Sequence, residues 1–275
     1  MKKVVFYLMS ATVILATVLP SCKNLSRVTT VHHEEVITDG ITMTSTKSGE
    51  VSFLIAGSGT MIINWGNGKK SETHTLSDYD DDFLSTHRYS HTYAYYDTTR
   101  RTITIRGKNI THLNCIENQL ISLDVSSNTA LKGLWCFEKQ LTNLDLHNNT
   151  ALEILWLVGS RLTNLDLNNN ATLTSLSCNN NQLRSLDVSN NPALKDLCCY
   201  GNQIRHLDVS VHSALISLNC SYNQLSSAAL DHLFGTLHNN TVEGEKTIFI
   251  LNNPGTDDCL HHIATEKGWT VNATE

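Results

Sequence analysis

The chain has 275 residues, of which 40% are hydrophobic, enough to build one elongated domain or two compact ones around a buried core. Its formal net charge is −6 and its lysines and arginines are scattered, so it lacks the basic stripe that nucleic acid binding requires. With only three prolines, it has no extended proline-rich linker between domains.

Residues 1–21 are predicted to be an export signal. Two lysines precede an apolar run, Val4–Leu19, that is too short for a comfortable transmembrane helix. A small residue, Ser21, then stands directly before Cys22, and this arrangement resembles the lipobox of bacterial lipoproteins. The resemblance implies cleavage before Cys22, acylation of that residue and attachment to a membrane through its lipid, with residues 22–30 as a tether. The alternative is an ordinary secretory signal followed by an incidental cysteine.

Residues 31–107 are predicted to form a small antiparallel β domain. Apolar and polar residues alternate in four segments that glycine-containing turns separate. These segments are Ile41–Thr44, Val51–Ile55, Met61–Trp65 and Thr102–Ile105. The run Trp65–Gly68, followed by His91–Tyr93 and a closing strand, resembles the PKD-type β-sandwich, in which an aspartate usually stands at the position of Asn67. Because Gly107 leads directly into the next segment, we expect this domain to cap it.

Residues 108–225 repeat one pattern six times with a constant period of 21 residues. One leucine position illustrates the period: Leu113, Leu134, Leu155, Leu176, Leu197 and Leu218. Such a constant period predicts a solenoid whose coils contact only their neighbours and whose two ends must be covered. The pattern LxxLxCxxNQLxxLDVSxN resembles leucine-rich repeats, especially a 21-residue variety found in exported proteins of Bacteroidetes. The resemblance implies that each LxxLxC segment is a strand of a concave face.

Residues 226–275 are predicted to cover the other end as an α/β cap. Helical spacing follows a serine at the start of this segment and extends to Leu237. A strand at 247–251, a short helix at 257–267 and a last strand at 269–271 complete it, and the arrangement resembles the C-terminal caps of the same repeat family. The predicted fold is therefore an α/β-capped β solenoid, a leucine-rich repeat of six coils preceded by a small antiparallel β-sandwich-like domain, and we expect a monomer.

Five of the eight cysteines occupy one position of the repeat. They are Cys115, Cys136, Cys178, Cys199 and Cys220, and the remaining coil has Leu157 there. A position that accepts leucine is an apolar core position, where cysteine acts as a small hydrophobic residue. Parallel strands also hold equivalent Cβ atoms about 4.8 Å apart, beyond the mean of about 3.8 Å for a disulfide. We therefore expect free buried thiols rather than disulfides or a metal-binding thiol column.

Acidic residues form a second column and a separate cluster. The column consists of Asp124, Asp145, Asp166, Asp187 and Asp208. We expect each to accept hydrogen bonds within its own turn; a row of calcium ions is the alternative. The cluster at residues 78–82 lies in the β domain, where a solvated loop is expected and a single calcium site is the alternative.

The outward positions of the concave strands contain the candidate binding residues. Large apolar side chains occupy these positions in the second and third coils, and an aromatic one returns in the fifth. The predicted partner-binding residues are Trp135, Phe137, Ile154, Trp156, Val158 and Tyr200. Exposed aromatic clusters mark binding surfaces, and tryptophan is a favoured anchor. In one alternative the β domain or a neighbouring loop buries the tryptophans; in another they are merely a tolerated cross-strand aromatic pair.

The sequence contains no motif for catalysis: no nucleophile elbow, HExxH, Walker loop or evident carboxylate pair. No cofactor or metal is expected. The predicted function is a non-enzymatic recognition lipoprotein of the outer membrane, on its outer or periplasmic side, that binds a protein through the concave face. One alternative is a carbohydrate-binding protein in which Trp135, Trp156 and Tyr200 stack on sugars. Another is a structural stalk without a ligand.

Overall fold

A computed structural model describes residues 40–85, 89–241 and 244–274. The predicted signal peptide, the lipid attachment at Cys22, the tether and the first residues of the predicted β domain lie outside these ranges. Among the described helices, none combines the length and hydrophobicity needed to cross a membrane.

The described residues of the N-terminal part form six antiparallel strands, which include the four predicted segments except for Trp65, directly after β3. They are β1 (Gly40–Ser45), β2 (Gly49–Ser58), β3 (Thr60–Asn64), β4 (Glu72–Thr75), β5 (Ser90–Tyr95) and β6 (Arg101–Arg106). One sheet has the order β4-β3-β6-β1, whereas β2 and β5 pair in another. Buried apolar residues alternate along β1, β3 and β6. Between the sheets, the rings of Phe53 and Trp65 stack at 5.5 Å.

The repeats form the predicted solenoid. Their strands are β7 (Asn109–Asn114), β8 (Leu120–Asp124), β9 (Gly133–Cys136), β10 (Ile154–Leu157), β11 (Ser175–Ser177), β12 (Asp196–Cys198) and β13 (Ser217–Asn219). All except β8 pair in parallel along the concave face, and the register aligns residues 21 apart, as in Leu134 opposite Leu155. The predicted fold class is therefore confirmed.

The C-terminal part continues the same sheet. It contains α1 (Ser227–Thr236), β14 (Lys246–Phe249), α2 (His262–Thr265) and β15 (Trp269–Asn272). Ser226 caps α1 by accepting a hydrogen bond from the Ala229 N–H at 3.2 Å. The second helix is shorter than the predicted 257–267. The Leu260 N–H donates to Asp231 of α1 at 2.6 Å instead of to a preceding carbonyl, so regular helix begins only after it.

The β domain joins the solenoid through both of its sheets. Strand β2 pairs antiparallel with β7, and β1 pairs antiparallel with β8. In the described ranges the concave sheet consequently has ten strands in the order β15-β14-β13-β12-β11-β10-β9-β7-β2-β5. One cluster of buried side chains extends from Ile41 to Trp269. The N-terminal strands thus supply the cover that the first coil needs.

A column of buried asparagines holds neighbouring coils together. Asn202 is typical: its side-chain oxygen accepts from the Leu183 N–H at 3.0 Å, and its amide donates to the carbonyls of Cys178 and Cys199 at 3.0 Å. The concave strands are only three or four residues long in most coils, so the chain leaves each strand with backbone groups that require other partners. The asparagine side chains supply them.

The second and third coils lack this asparagine and have Lys139 and Ser160 at its position. In the second coil, the buried carboxylate of Glu138 acts instead. It accepts hydrogen bonds from the N–H groups of Asn118 at 2.6 Å and Leu120 at 2.8 Å. Burial is the main cause that raises the pKa of Glu138 to about 7, although these hydrogen bonds oppose it.

The cysteine and aspartate columns are structural. The five cysteines of the repeat column are buried, and the structure records them as free thiols. Each aspartate of the acidic column accepts a hydrogen bond from the N–H two residues later, at 2.8 to 3.0 Å. This is the local turn expected from the sequence. Within the described ranges, no group of three or more His, Cys, Asp or Glu side chains is arranged to hold a metal ion.

Candidate binding surface on the concave face

The register of the strands places the two tryptophans of the predicted binding surface next to each other. Trp135 of β9 lies opposite Trp156 of β10, and their ring centroids are 6.4 Å apart in an edge-to-face arrangement. Ile154, Trp156 and Val158 follow one another on the outward side of the third coil, and all three are half-buried. Phe137 and Tyr200 are also half-buried.

The expectation that Trp135 stands on the open face is wrong. Its side chain is only 3% exposed, because described residues of the segment that follows β4, Phe83 among them, pack over it. Phe83 of this segment lies 5.5 Å from Trp135, centroid to centroid, and packs edge-on against Tyr89 at 5.1 Å. A loop of the β domain therefore buries Trp135, which was the alternative to an open position on the concave face. A role for Trp135 in partner binding stays a prediction.

Two features allow this segment to lie on the concave sheet. Gly133 stands beside Trp135 on β9, and a Cβ atom there would lie 2.7 Å from the indole ring and 2.5 Å from His112. The absence of a side chain therefore makes room for both rings. The segment itself is held by the Gly57 N–H, which donates to the Ser77 carbonyl at 2.9 Å, and by the Tyr89 hydroxyl, which donates to the Asp78 carbonyl at 2.7 Å.

His112 extends the aromatic cluster toward the N-terminal end. Tyr79 stacks on its ring at 3.7 Å, and the Trp135 ring lies 6.1 Å away. Burial lowers the pKa of His112 to about 4, so it is neutral at physiological pH. Sequence reasoning missed this cluster because it treated residues 78–82 as a solvated acidic loop. The available signal was the set of aromatic residues within and after that loop.

The accessible apolar patch is centred on Trp156. Its indole N–H donates to the Ser175 hydroxyl at 3.3 Å, which orients the ring on the sheet. Ile154 and Trp156 also pack against the buried cluster of Phe83 and Trp135. Trp156 is thus a half-exposed aromatic side chain held on a rigid support.

A second aromatic pair lies farther along the face. Tyr200 and Tyr222 contact edge-to-face with ring centroids 5.0 Å apart, and Tyr222 is 39% exposed. Tyr222 has a φ of 54°, at a repeat position where a positive φ also occurs at Glu117, Gly159, Asn180 and Gly201. A bulky residue is uncommon in this conformation. Sequence reasoning missed Tyr222, although its replacement of a glycine or asparagine was a readable signal.

Small polar residues separate the two aromatic regions. In register after Trp156 come Ser177, Cys198 and Asn219. The Cys198 thiol is half-buried, and burial raises its pKa above the usual value. The concave face therefore combines an apolar patch, a polar middle and a tyrosine pair. These side chains are suited to binding a ligand through non-covalent contacts.

Comparison with known proteins supports the fold. No family model matches the chain, and no curated protein matches it. A solved structure described as the functional domain of InlJ from Listeria monocytogenes, including a cysteine ladder, is 29% identical, with a TM-score of 0.50, over 59% of this chain and 34% of that one. An internalin, InlF, from Listeria monocytogenes strain 4b F2365 is 23% identical over 47% of this chain and 43% of that one, with a TM-score of 0.35, too low to support an argument.

The chain spans less than half the length of either solved protein. Its own column of buried cysteines resembles the feature named in the description of InlJ. The strand register, the 21-residue period and this similarity agree with one another. The chain has a leucine-rich-repeat fold.

Proposed function

We propose that this chain is a non-enzymatic recognition protein that binds a protein partner through its concave face. The observation that supports this most directly is the half-exposed patch of Ile154, Trp156 and Val158 on a rigid parallel sheet. Tryptophan is favoured at interface centres because it contributes a large contact area together with a hydrogen-bonding N–H. Phe137 and Tyr200, also predicted from the sequence, extend the proposed surface on either side.

A protein partner accounts for the mixed character of the surface better than a glycan does. Protein interfaces combine an apolar centre with a polar rim, as the Trp156 patch and the neighbouring serines do. The predicted glycan alternative relied on Trp135, Trp156 and Tyr200 as stacking platforms, but Trp135 is covered by Phe83. Because the Tyr200–Tyr222 pair offers aromatic rings that can stack on sugars, a glycan is the second candidate ligand.

The proposal includes export and anchoring. We infer cleavage of residues 1–21 and acylation of Cys22, which would hold the protein on a membrane, and we retain the PKD-type resemblance for the N-terminal strands. The expected outcome is that Cys22→Ser releases the protein from the membrane fraction. Protease treatment of intact cells would distinguish an exterior orientation, in which the protein is digested, from a periplasmic one, in which it is protected.

The binding proposal can be tested with two arrays. The purified chain is applied to an array of extracellular proteins and to a glycan array, and each hit is repeated with the double variant Trp156→Ser, Tyr200→Ser. We expect hits on the protein array that lose at least tenfold in affinity in the variant, since interface anchors contribute about 2 kcal/mol or more. The glycan array should stay silent.

Tyr96→Ser is a matched control because Tyr96 is 95% exposed, outside the concave strands. It should leave binding unchanged. Glycan hits that depend on Tyr200 would replace the protein partner by a carbohydrate. Protein hits that survive the double variant would show that the concave face is not the binding surface, and silence on both arrays would favour the stalk.

A further inference from the structure

A groove on the flank of the solenoid contains two neighbouring arginines. It has a volume of about 540 Å³ and is lined by Arg184, Gln203, Arg205 and Gln224. These residues follow the concave strands, where the chain turns toward the convex side. The groove is thus separate from the Trp156 patch and independent of the function proposed for it.

The two arginines depart from the repeat pattern. They occupy the position two residues after the recurrent glutamine, where the other coils carry Ile121, Thr142, Thr163 and Ser226. Arg184 and Arg205 are 21 residues apart, so they belong to adjacent coils. The chain thus places two cations side by side at a position that is otherwise uncharged.

The backbone on either side of the arginines is rigidly spaced. The Gln203 N–H donates to the Leu183 carbonyl at 2.8 Å, and the Gln224 N–H donates to the Ile204 carbonyl at 2.8 Å. The buried asparagine column supports the same two turns: Leu183 and Ile204 donate their N–H groups to it. Parallel coils hold equivalent residues about 4.8 Å apart, so the bases of the two arginine side chains stay at about this separation.

Neither guanidinium forms a salt bridge within the described part of the chain. The nearest acidic residues along the chain, Asp187 and Asp208, accept hydrogen bonds from Ser189 and Ser210 instead. Two like charges about 4 Å apart in water repel by about 1 kcal/mol. Both arginines are exposed, so they form a local positive site, in a protein of net charge −6, that an anion from outside can reach and neutralise.

We propose that this groove binds an oxyanion, a phosphate or sulfate group, between Arg184 and Arg205. Each guanidinium presents a planar set of N–H donors that can pair with two oxygens of such a group. The amides of Gln203 and Gln224 add neutral donors at its sides. None of the described residues that line the groove is aromatic, so recognition is directed at the charged group rather than at a ring attached to it.

Nuclear magnetic resonance titration of the arginine side-chain N–H signals tests this proposal. Inorganic phosphate, inorganic sulfate and glucose 6-sulfate are added in turn at constant ionic strength, with sodium chloride as the reference. We expect saturable shifts for Arg184 and Arg205 with the oxyanions and none with chloride. Tighter binding of glucose 6-sulfate than of inorganic sulfate would identify a group carried on a sugar; equal or weaker binding would identify the free ion.

The double variant Arg184→Gln, Arg205→Gln should weaken binding at least tenfold, as followed by calorimetry with the same probes. Lys139→Gln with Lys195→Gln removes the same charge at exposed positions and should change affinity by less than twofold. Arg205→Lys, which keeps the charge but loses the planar fork, should give an intermediate loss. Linear shifts that do not saturate, or equal weakening by the lysine variant, would overturn the proposal in favour of diffuse charge attraction.

Discussion

Single residues that break the repeat pattern decide which part of the concave face is open. Gly133 and Trp135 are the clearest pair: the glycine leaves a space beside the indole, and the rings of His112 and Phe83 close around it. The sequence made both residues visible as departures from the repeat. It did not show that Phe83, distant in sequence, would lie over them, because such a contact depends on how a loop returns to the sheet.

Gly133→Ala is expected to destabilise the protein. The new methyl group would lie within 2.7 Å of the His112 and Trp135 rings, so one of them must move. Overpacking of this kind costs about 1–3 kcal/mol. Urea unfolding measures the loss, and a red shift of tryptophan fluorescence would report partial exposure of Trp135.

Gly235→Ala provides the opposite case. Gly235 lies within α1, and a Cβ atom there meets nothing within 4 Å. Alanine is the better helix former, so this variant should gain about 0.5 kcal/mol or more. If Gly133→Ala were as harmless as Gly235→Ala, the Trp135 pocket would be looser than the contacts indicate.

At the scale of elements, the columns of the repeat explain both what was predictable and what was not. Positions that recur every 21 residues indicated the buried cysteines and the aspartate turns, because equivalent residues meet equivalent surroundings in every coil. The repeat pattern did not indicate which residue supplies the hydrogen bonds of the asparagine that Lys139 replaces. The substitute is Glu138, one position earlier, whose side chain reaches the N–H of Leu120. Because Glu138 lies one residue before the asparagine position, it does not belong to the column of residues that recurs every 21 residues.

The Glu138→Gln variant should change how stability depends on pH. The pKa of Glu138 is about 7 in the folded protein and near its ordinary value of 4.5 when unfolded. The folded state therefore holds the proton more tightly, and this group lowers the free energy of unfolding as pH rises from 4.5 to 7. Glutamine does not titrate. Relative to the wild type, the variant should therefore gain roughly 2–3 kcal/mol between pH 5 and pH 8.

Urea unfolding of both proteins at pH 5 and pH 8 gives this difference directly. At pH 5 Glu138 is itself mostly protonated in the folded protein and, like glutamine, has one strong acceptor oxygen, so the stabilities of the two proteins should be closest there. Glu117→Gln, at an exposed neighbouring position, controls for the loss of one negative charge. A stability difference between wild type and Glu138→Gln that is the same at both pH values would contradict the raised pKa.

At the scale of the whole molecule, the ends of the solenoid matter as much as its coils. A single coil cannot offset the conformational entropy of its own backbone, so stacking must stabilise it and each end must be covered. The sequence predicted two covers from the places where the period stops. It did not show that β1 and β2 pair with different strands of the first coil, because strand pairing across so many residues leaves no local signal.

These two pairings make the N-terminal strands part of the solenoid's stability. Nine pairs of facing residues connect β1 to β8 and β2 to β7. With about one hydrogen bond per pair at a net 0.5–1.5 kcal/mol each, their loss costs on the order of 5–14 kcal/mol, comparable with the whole stability of a typical domain. The asparagine Asn118 would also lose its two hydrogen bonds to the Ser52 backbone.

A chain shortened to residues 108–275 is therefore expected to aggregate or remain unfolded, whereas residues 40–275, which keep every described element, should fold. Size-exclusion chromatography and far-ultraviolet circular dichroism distinguish the two outcomes. A monomeric 108–275 chain that melts within a few degrees of the longer one would mean that the coils are stable without their N-terminal cover. Because Phe83 belongs to the removed part, the shorter chain also loses the side chain that covers Trp135, and a red shift of tryptophan fluorescence should accompany the loss of structure.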